Sequence, residues 1–126
     1  INTVLTVYER RAKENGISVQ ISANASRDLD VSPQDLVIVI ANLFENAIHA
    51  TAKHKGKKKL IDLSIKGSAQ RLLIKVENPC RNNLTFDETL YGVGIRSVIA
   101  TTNKYEGMYD FTAEDGIFSA KISLNI

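Results

Sequence analysis

Apolar positions recur along the chain with two different periods, and the changes of period mark out eight elements. In "INTVLTVYERRAKENG", Val4, Leu5, Val7, Tyr8 and Ala12 follow a helical spacing, and Asn15-Gly16 supplies a stop. "ISVQIS" alternates and predicts a strand. After a polar loop over residues 23–31, "SPQDLVIVIANLFENAIHATAKH" returns to the helical period. Ser32 is a good N-cap there and Pro33 suits the first helical position. Asp35, at the third, can complete a capping box in the place usually held by Glu. This helix is expected to run to about residue 53. "KLIDLSIKG" and "RLLIKVEN" read as strands of a hairpin turned by "GSAQ". "PCRNNLTFDETLY" is a polar loop. "GVGIRSVIATTNKYEG" reads as a helix opened by two glycines and closed by Gly107. "MYDFTA" and "IFSAKISLNI" form a last hairpin around Glu114-Asp115-Gly116.

The order α β α β β α β β, with its sequential hairpins, predicts a mixed, mostly antiparallel sheet covered on one face by three helices. That is a two-layer α/β sandwich of the α+β class. A chain of 126 residues, 44% of them hydrophobic, suits one domain over residues 1–126. There is no internal repeat, no low-complexity linker and no run of eighteen apolar residues, so no membrane span is expected within it. Residue 1 is Ile and the opening segment is amphipathic, which suggests a piece of a longer chain rather than a signal peptide.

Charge and cysteine change this picture little. The net charge is +2, but Lys53, Lys55, Lys57, Lys58 and Lys59 carry the surplus; without them eleven basic residues face fourteen acidic ones. "KHKGKKK" lies between a helix and a strand and reads as a solvated loop, with a phosphate-facing role as the alternative. It has no interleaved aromatics and belongs to no broader basic face, so nucleic acid is not an expected partner. Cys80 is the one cysteine, which excludes an internal disulfide and a multi-cysteine metal site. His49 and His54 are too few for a histidine-based metal cluster.

Candidate chemistry is concentrated on the long helix. At 100° per residue with Asn42 at zero, Leu36, Val37, Ile40, Leu43, Phe44, Ala47 and Ile48 fall between about 100° and 240° and form an apolar back. Asp35, Asn42, Glu45, Asn46 and His49 fall in a narrow polar front, flanked by Ile38 and Val39. An ordinary wet face explains such a stripe, but wet faces usually carry Lys, Arg and Gln, and this one carries two amides. The alternative is a pocket wall, with aliphatics for a flat ring and amides for phosphate or a hydrated cation. Mg²⁺ takes oxygen ligands, keeps several waters and leans on substrate phosphates, so one Asn carbonyl suffices. Gly92 and Gly94, just before a helix, would expose backbone N–H groups at the positive end of its dipole, a phosphate seat. G-x-G alone is equally an ordinary glycine turn.

In combination these segments resemble the catalytic ATP-binding domain of sensor histidine kinases, in the superfamily shared with gyrase, the Hsp90 chaperone and the mismatch-repair MutL proteins. "NLFENAIHA" is similar to the family's N box, "YGVGIRSVIATTNKYEG" to its second glycine box with the helix behind it, and "GIFSAKISL" to its closing strand. "YERRAKENGISVQIS" resembles the junction found in the peptide-pheromone, quorum-sensing branch. The resemblance covers essentially the whole chain and implies a Bergerat-type ATP-binding fold. It implies that residues 1–15 are the tail of an upstream helix and residues 79–91 the ATP lid.

The resemblance also implies roles. Asn46 would coordinate Mg²⁺ on the ATP phosphates, and Asn42 would lie beside those phosphates. Gly92, Val93, Gly94 and Ile95 would wrap the phosphates with their backbone. Asn78 stands where most relatives have the Asp that accepts from the adenine amino group, and an Asn oxygen can accept the same bond. The glycines that usually follow that Asp are absent. His49 stands where many relatives have Lys or Arg toward the phosphates, and Tyr91 where many have His. The implied activity is transfer of the ATP γ-phosphate to a histidine on a separate, upstream helical hairpin, with little ATP hydrolysis, because Asn42 holds the position of the water-activating Glu of gyrase and Hsp90. Implied partners are that hairpin and a response regulator; the fragment is expected to be a monomer and the full-length protein a homodimer. The implied setting is the cytoplasmic side of a membrane-anchored bacterial sensor. A partner-docking domain that has lost catalysis, and an anti-sigma-type serine kinase, are the competing readings.

Overall fold

The computed structural model of the chain describes residues 2–25, 29–53, 59–80 and 92–126. Tyr91, His54, Lys55, Lys57, Lys58 and most of the expected lid lie outside the described residues. The elements follow the predicted order: α1 (Asn2–Glu14), β1 (Ser18–Asn24), α2 (Pro33–Lys53), β2 (Leu60–Gly67), β3 (Arg71–Pro79), α3 (Val93–Lys104), β4 (Met108–Glu114) and β5 (Ile117–Asn125). They form a five-stranded sheet in the order β1-β2-β3-β5-β4. The three sequential hairpin and neighbour pairings are antiparallel, while β1 and β2, joined through α2, run parallel. A crossover through a helix leaves no other easy direction for the second strand.

Strand alternation places one side chain set under the helices. Ile61, Leu63, Ile65, Leu72, Ile74, Val76, Phe118, Ala120, Ile122 and Leu124 are buried there against Leu36, Val39, Ile40, Leu43, Phe44 and Ala47 of α2. The β4–β5 hairpin turns at Asp115 and Gly116, both at positive φ (53° and 77°), as a two-residue hairpin loop requires. α2 is apolar and long enough to cross a membrane by length and composition, but half of its apolar stretch is buried inside this fold. It is the central helix of the layer.

The neighbours of α2 rotate its buried face away from the expected one. Val39, placed as a flank, is fully buried, and Val37, placed in the core, is 41% exposed. α3 packs on the Val39 side. The aromatic and ionic contacts of α1 fall on Phe44 and Glu45, two turns beyond Val37: Tyr8 stacks on Phe44 with ring centroids 5.6 Å apart, and Arg11 lies 5.2 Å over the Tyr8 ring.

The expected capping box is also replaced. Ser32 N–H donates not to Asp35 but to the Tyr105 hydroxyl (3.0 Å), which in turn donates to Asp35 Oδ2 (2.6 Å). Lys104 Nζ reaches the same carboxylate oxygen at 2.9 Å. A residue 70 positions away thus inserts itself into the cap and ties the end of α3 to the start of α2. The Tyr105 hydroxyl, and after it the Lys104 ammonium, hold the Asp35 carboxyl below its usual range. A depressed carboxyl stabilises the fold above its unfolded value, about 3.9, and loses that contribution as pH falls through the folded value. Tyr105→Phe, which strips Ser32 and the buried Asp35 of a part-buried bond each, is expected to lower stability by about 1–2 kcal/mol in urea melts. It should also weaken the acid-side loss of stability, because Asp35 then titrates closer to its ordinary range. An unchanged acid limb would show that this tie does not form.

Candidate functional site

The polar front of α2 divides among its neighbours. Asp35 serves α3, as described above. Glu45 serves α1: it accepts from Tyr8 Oη at 3.0 Å and from both Arg11 nitrogens at 3.3 and 3.2 Å. The Arg11 guanidinium, then the Tyr8 hydroxyl, draw its carboxyl below the usual range. These contacts make Glu45 a tie between α1 and α2.

Asn42, Asn46 and His49 remain. Asn42 Nδ2 donates to the Ile38 carbonyl at 2.7 Å, which fixes the carboxamide plane and turns Oδ1 toward the start of α3. There it lies against Gly94: a Cβ built on that glycine would stand 2.8 Å from Asn42 Oδ1. The Asn42 amide and the glycine turn, 52 positions apart in sequence, are therefore in contact. At Gly94 the amide takes the space that a side chain would need. Asn46 follows one turn further along the same stripe and is exposed, as is His49.

At the turn itself, Gly92 is the extended N-cap of α3 (φ −75°, ψ 176°) and carries no side chain to cap the helix. The Arg96 N–H closes the first helical bond onto the Gly92 carbonyl at 3.1 Å. The N–H groups of Val93, Gly94 and Ile95 precede that bond and have no carbonyl one turn back within the helix. Val93 is 81% exposed, whereas Ile95 is part of the core and can offer a ligand only its backbone. These are the donors that an anion needs, at the positive end of a twelve-residue helix.

Asn78 sits on the helix-facing side of β3, in series with Leu72, Ile74 and Val76, and is 2% exposed. Its Nδ2 donates to the Pro79 carbonyl at 3.0 Å, which directs the oxygen, an acceptor, the other way. Burying an amide among aliphatics is costly unless its polar atoms are used. Cys80 N–H is tied to the Gly116 carbonyl at 2.9 Å, and burial pushes the Cys80 thiol up. Among the described residues no group of three His, Cys, Asp or Glu side chains could hold a metal ion, so an all-protein metal cage is absent there.

Sequence reasoning singled out each of these residues but missed the two ties, Tyr105 with Lys104 and Tyr8 with Arg11. Their partners lie 34 to 70 positions away, and nothing local signals them.

Comparison with known proteins places the same pieces together. A family model described as the GHKL domain matches residues 31–125. A probable C4-dicarboxylate sensor kinase of Bacillus subtilis (strain 168) is 34% identical over 102 residues. That match takes in 78% of this chain and 18% of the relative, so the chain spans about a fifth of the length of that protein. Among solved structures, a nucleotide-free form of the catalytic domain of the histidine kinase ThkA superposes with a TM-score of 0.73 at 14% identity. It takes in 98% of this chain and 89% of that one. The Acinetobacter baumannii histidine kinase AdeS gives 0.72 at 13% identity, over 98% of this chain and 64% of that one. At such identities the superpositions speak for the fold, helix α1 included.

Proposed function

The chain belongs to the GHKL family of ATP-binding domains and matches the catalytic domains of histidine kinases, and from that premise we propose that it binds Mg·ATP and donates the γ-phosphate to a histidine on a separate domain of the same protein. The observation that carries this reading is the contact of Asn42 with Gly94. It brings the amide stripe of α2 and the open N–H groups of α3 to one edge, where one triphosphate reaches both. The glycine Cβ space filled by an amide, the uncapped start of α3 and the exposed Asn46 suit an anion accompanied by a hard cation.

In this reading Asn46 supplies the carbonyl ligand to Mg²⁺, which neutralises phosphate charge when bound. Asn42 and the backbone of residues 92–95 orient the phosphates, and Asn78 accepts from the adenine amino group. His49, further along the stripe, donates toward the phosphate side. The protein's contribution to the transfer is positioning and electrostatic complementarity rather than covalent chemistry. Neither Asn42 nor the tied Glu45 is a base for water, which favours transfer over hydrolysis. We place the domain on the cytoplasmic side of a sensor protein, with a response regulator as the onward acceptor.

Titration of the chain with ATP, with and without Mg²⁺, tests the reading. Gly94→Ala is the informative variant. The new methyl meets the end of a short flexible side chain and alanine favours a helix by about 0.8–1 kcal/mol over glycine, so stability should hold. The Asn42 carboxamide must move, and affinity for ATP is expected to fall about tenfold. No binding to the unaltered chain at millimolar Mg·ATP, or an unaltered affinity in the variant, would refute the assignment.

A further inference from the structure

The face of the sheet turned away from the helices holds a second site. Register sets Asp62, Glu77, Ser119 and Thr112 in one row across β2, β3, β5 and β4. Their parity is opposite to that of the buried Leu63, Val76 and Ala120, so this row faces away from the helical layer. The row lines a cleft of about 480 Å³ that Glu114, Asp115 and Ile117 extend at one end.

Three features of this cleft go against stability. Asp62 and Glu77 are cross-strand partners of like charge, an arrangement that costs free energy when directly opposed. Ser119 is only 5% exposed, yet its Oγ has no hydrogen-bond partner. Ile117 is 43% exposed beside them. Two lysines offset part of this charge, Lys75 through its 3.6 Å pair with Glu77 and Lys121 as a lining residue of the cleft, but they face four acids, Asp62, Glu77, Glu114 and Asp115. Two opposed carboxylates, with an orphaned hydroxyl on the strand beside Glu77 and an exposed aliphatic at one end, are what a guanidinium and its methylene stem would satisfy. A guanidinium offers five donors in a planar fork and pairs with carboxylates at two points, which an ammonium does not.

We propose that this cleft docks an arginine-bearing peptide segment of a partner protein, its guanidinium received between Asp62 and Glu77 against Ser119 Oγ and its stem lying on Ile117. The acids stand on the outer face of the sheet; Asn78, which also lines this cleft, turns its side chain to the helix-facing side, so the peptide and the nucleotide are expected to bind independently. A short synthetic peptide carrying two arginines is the probe, titrated calorimetrically beside its lysine counterpart. The arginine peptide should bind in the submillimolar range, the lysine peptide about fivefold or more weakly, and saturating Mg·ATP should leave both unchanged. Asp62→Asn with Glu77→Gln should weaken arginine binding at least about fivefold while melting at or above the parent temperature, because it relieves a repulsion. Absence of binding at millimolar peptide, an affinity that the double variant leaves intact, equal binding of the two peptides, or displacement by ATP would each overturn the proposal. So would a double variant that melts several degrees lower, since the two acids would then be structural.

Discussion

Asn46→Ala is expected to abolish most of the Mg²⁺-dependent part of ATP binding, about tenfold in affinity, and to slow phosphotransfer about a hundredfold. A hundredfold corresponds to about 2.7 kcal/mol of lost transition-state stabilisation. The side chain is exposed, so its loss should not unfold the domain. Alanine is the better helix former, and the variant should melt no lower than the parent. Magnesium dependence separates a ligand role from a mere contact. ATP alone should bind parent and variant alike, while Mg²⁺ should tighten binding only in the parent. Transfer is to be read with the proposed acceptor domain supplied. If Mg²⁺ strengthens binding equally in both, Asn46 is not the ligand.

Gly107→Ala is expected to cost about 3 kcal/mol or more in a urea melt. The reason is the way α3 ends. Tyr105 is the C-cap, Glu106 takes positive φ (52°), and the Gly107 N–H returns to the Thr102 carbonyl at 2.9 Å. The chain then passes so close to β5 that a Cβ on residue 107 would overlap the Ser123 carbonyl and press on Leu124 Cα at 3.2 Å. Those are backbone atoms of a sheet strand held on both sides, so they cannot yield as a side chain tip does. This contrasts with Gly94, where the obstructing atom is the end of an asparagine. The same substitution should therefore act on affinity at one glycine and on stability at the other. A loss below about 1 kcal/mol at Gly107 would show that β5 gives way there.

Much of this architecture is legible in the sequence because it is written locally. The eight elements, the Asp115-Gly116 turn and the stop at Asn15-Gly16 each depend on residues a few positions apart. The gaps lie where distant residues decide. A helical wheel for α2 knows its own period but not that α3 covers Val39, or that the contacts of α1 fall at Phe44 and leave Val37 open. Ser32 and Asp35 have the spacing of a capping box, and only the arrival of Tyr105 explains why they do not form one. Glu45 belongs to the polar stripe by angle, yet Arg11 and Tyr8 claim it. At the candidate site, the amides and glycines are plain as types at a spacing; that Asn42 fills the missing side chain of Gly94 is a fact of packing alone.

The third helix is fastened at its far end. Its closing turn is bonded to Ser32 and Asp35 through Tyr105 and Lys104, and Asn125 donates to the Glu106 carbonyl at 2.7 Å. Its opening turn rests on α2 through a glycine and an amide. It is built like a cantilever, with the clamped root at the sheet and the tip at the proposed phosphate seat. Solvent deuterons should therefore enter the tip long before the root, and a ligand that grips the tip should slow that entry without moving the root.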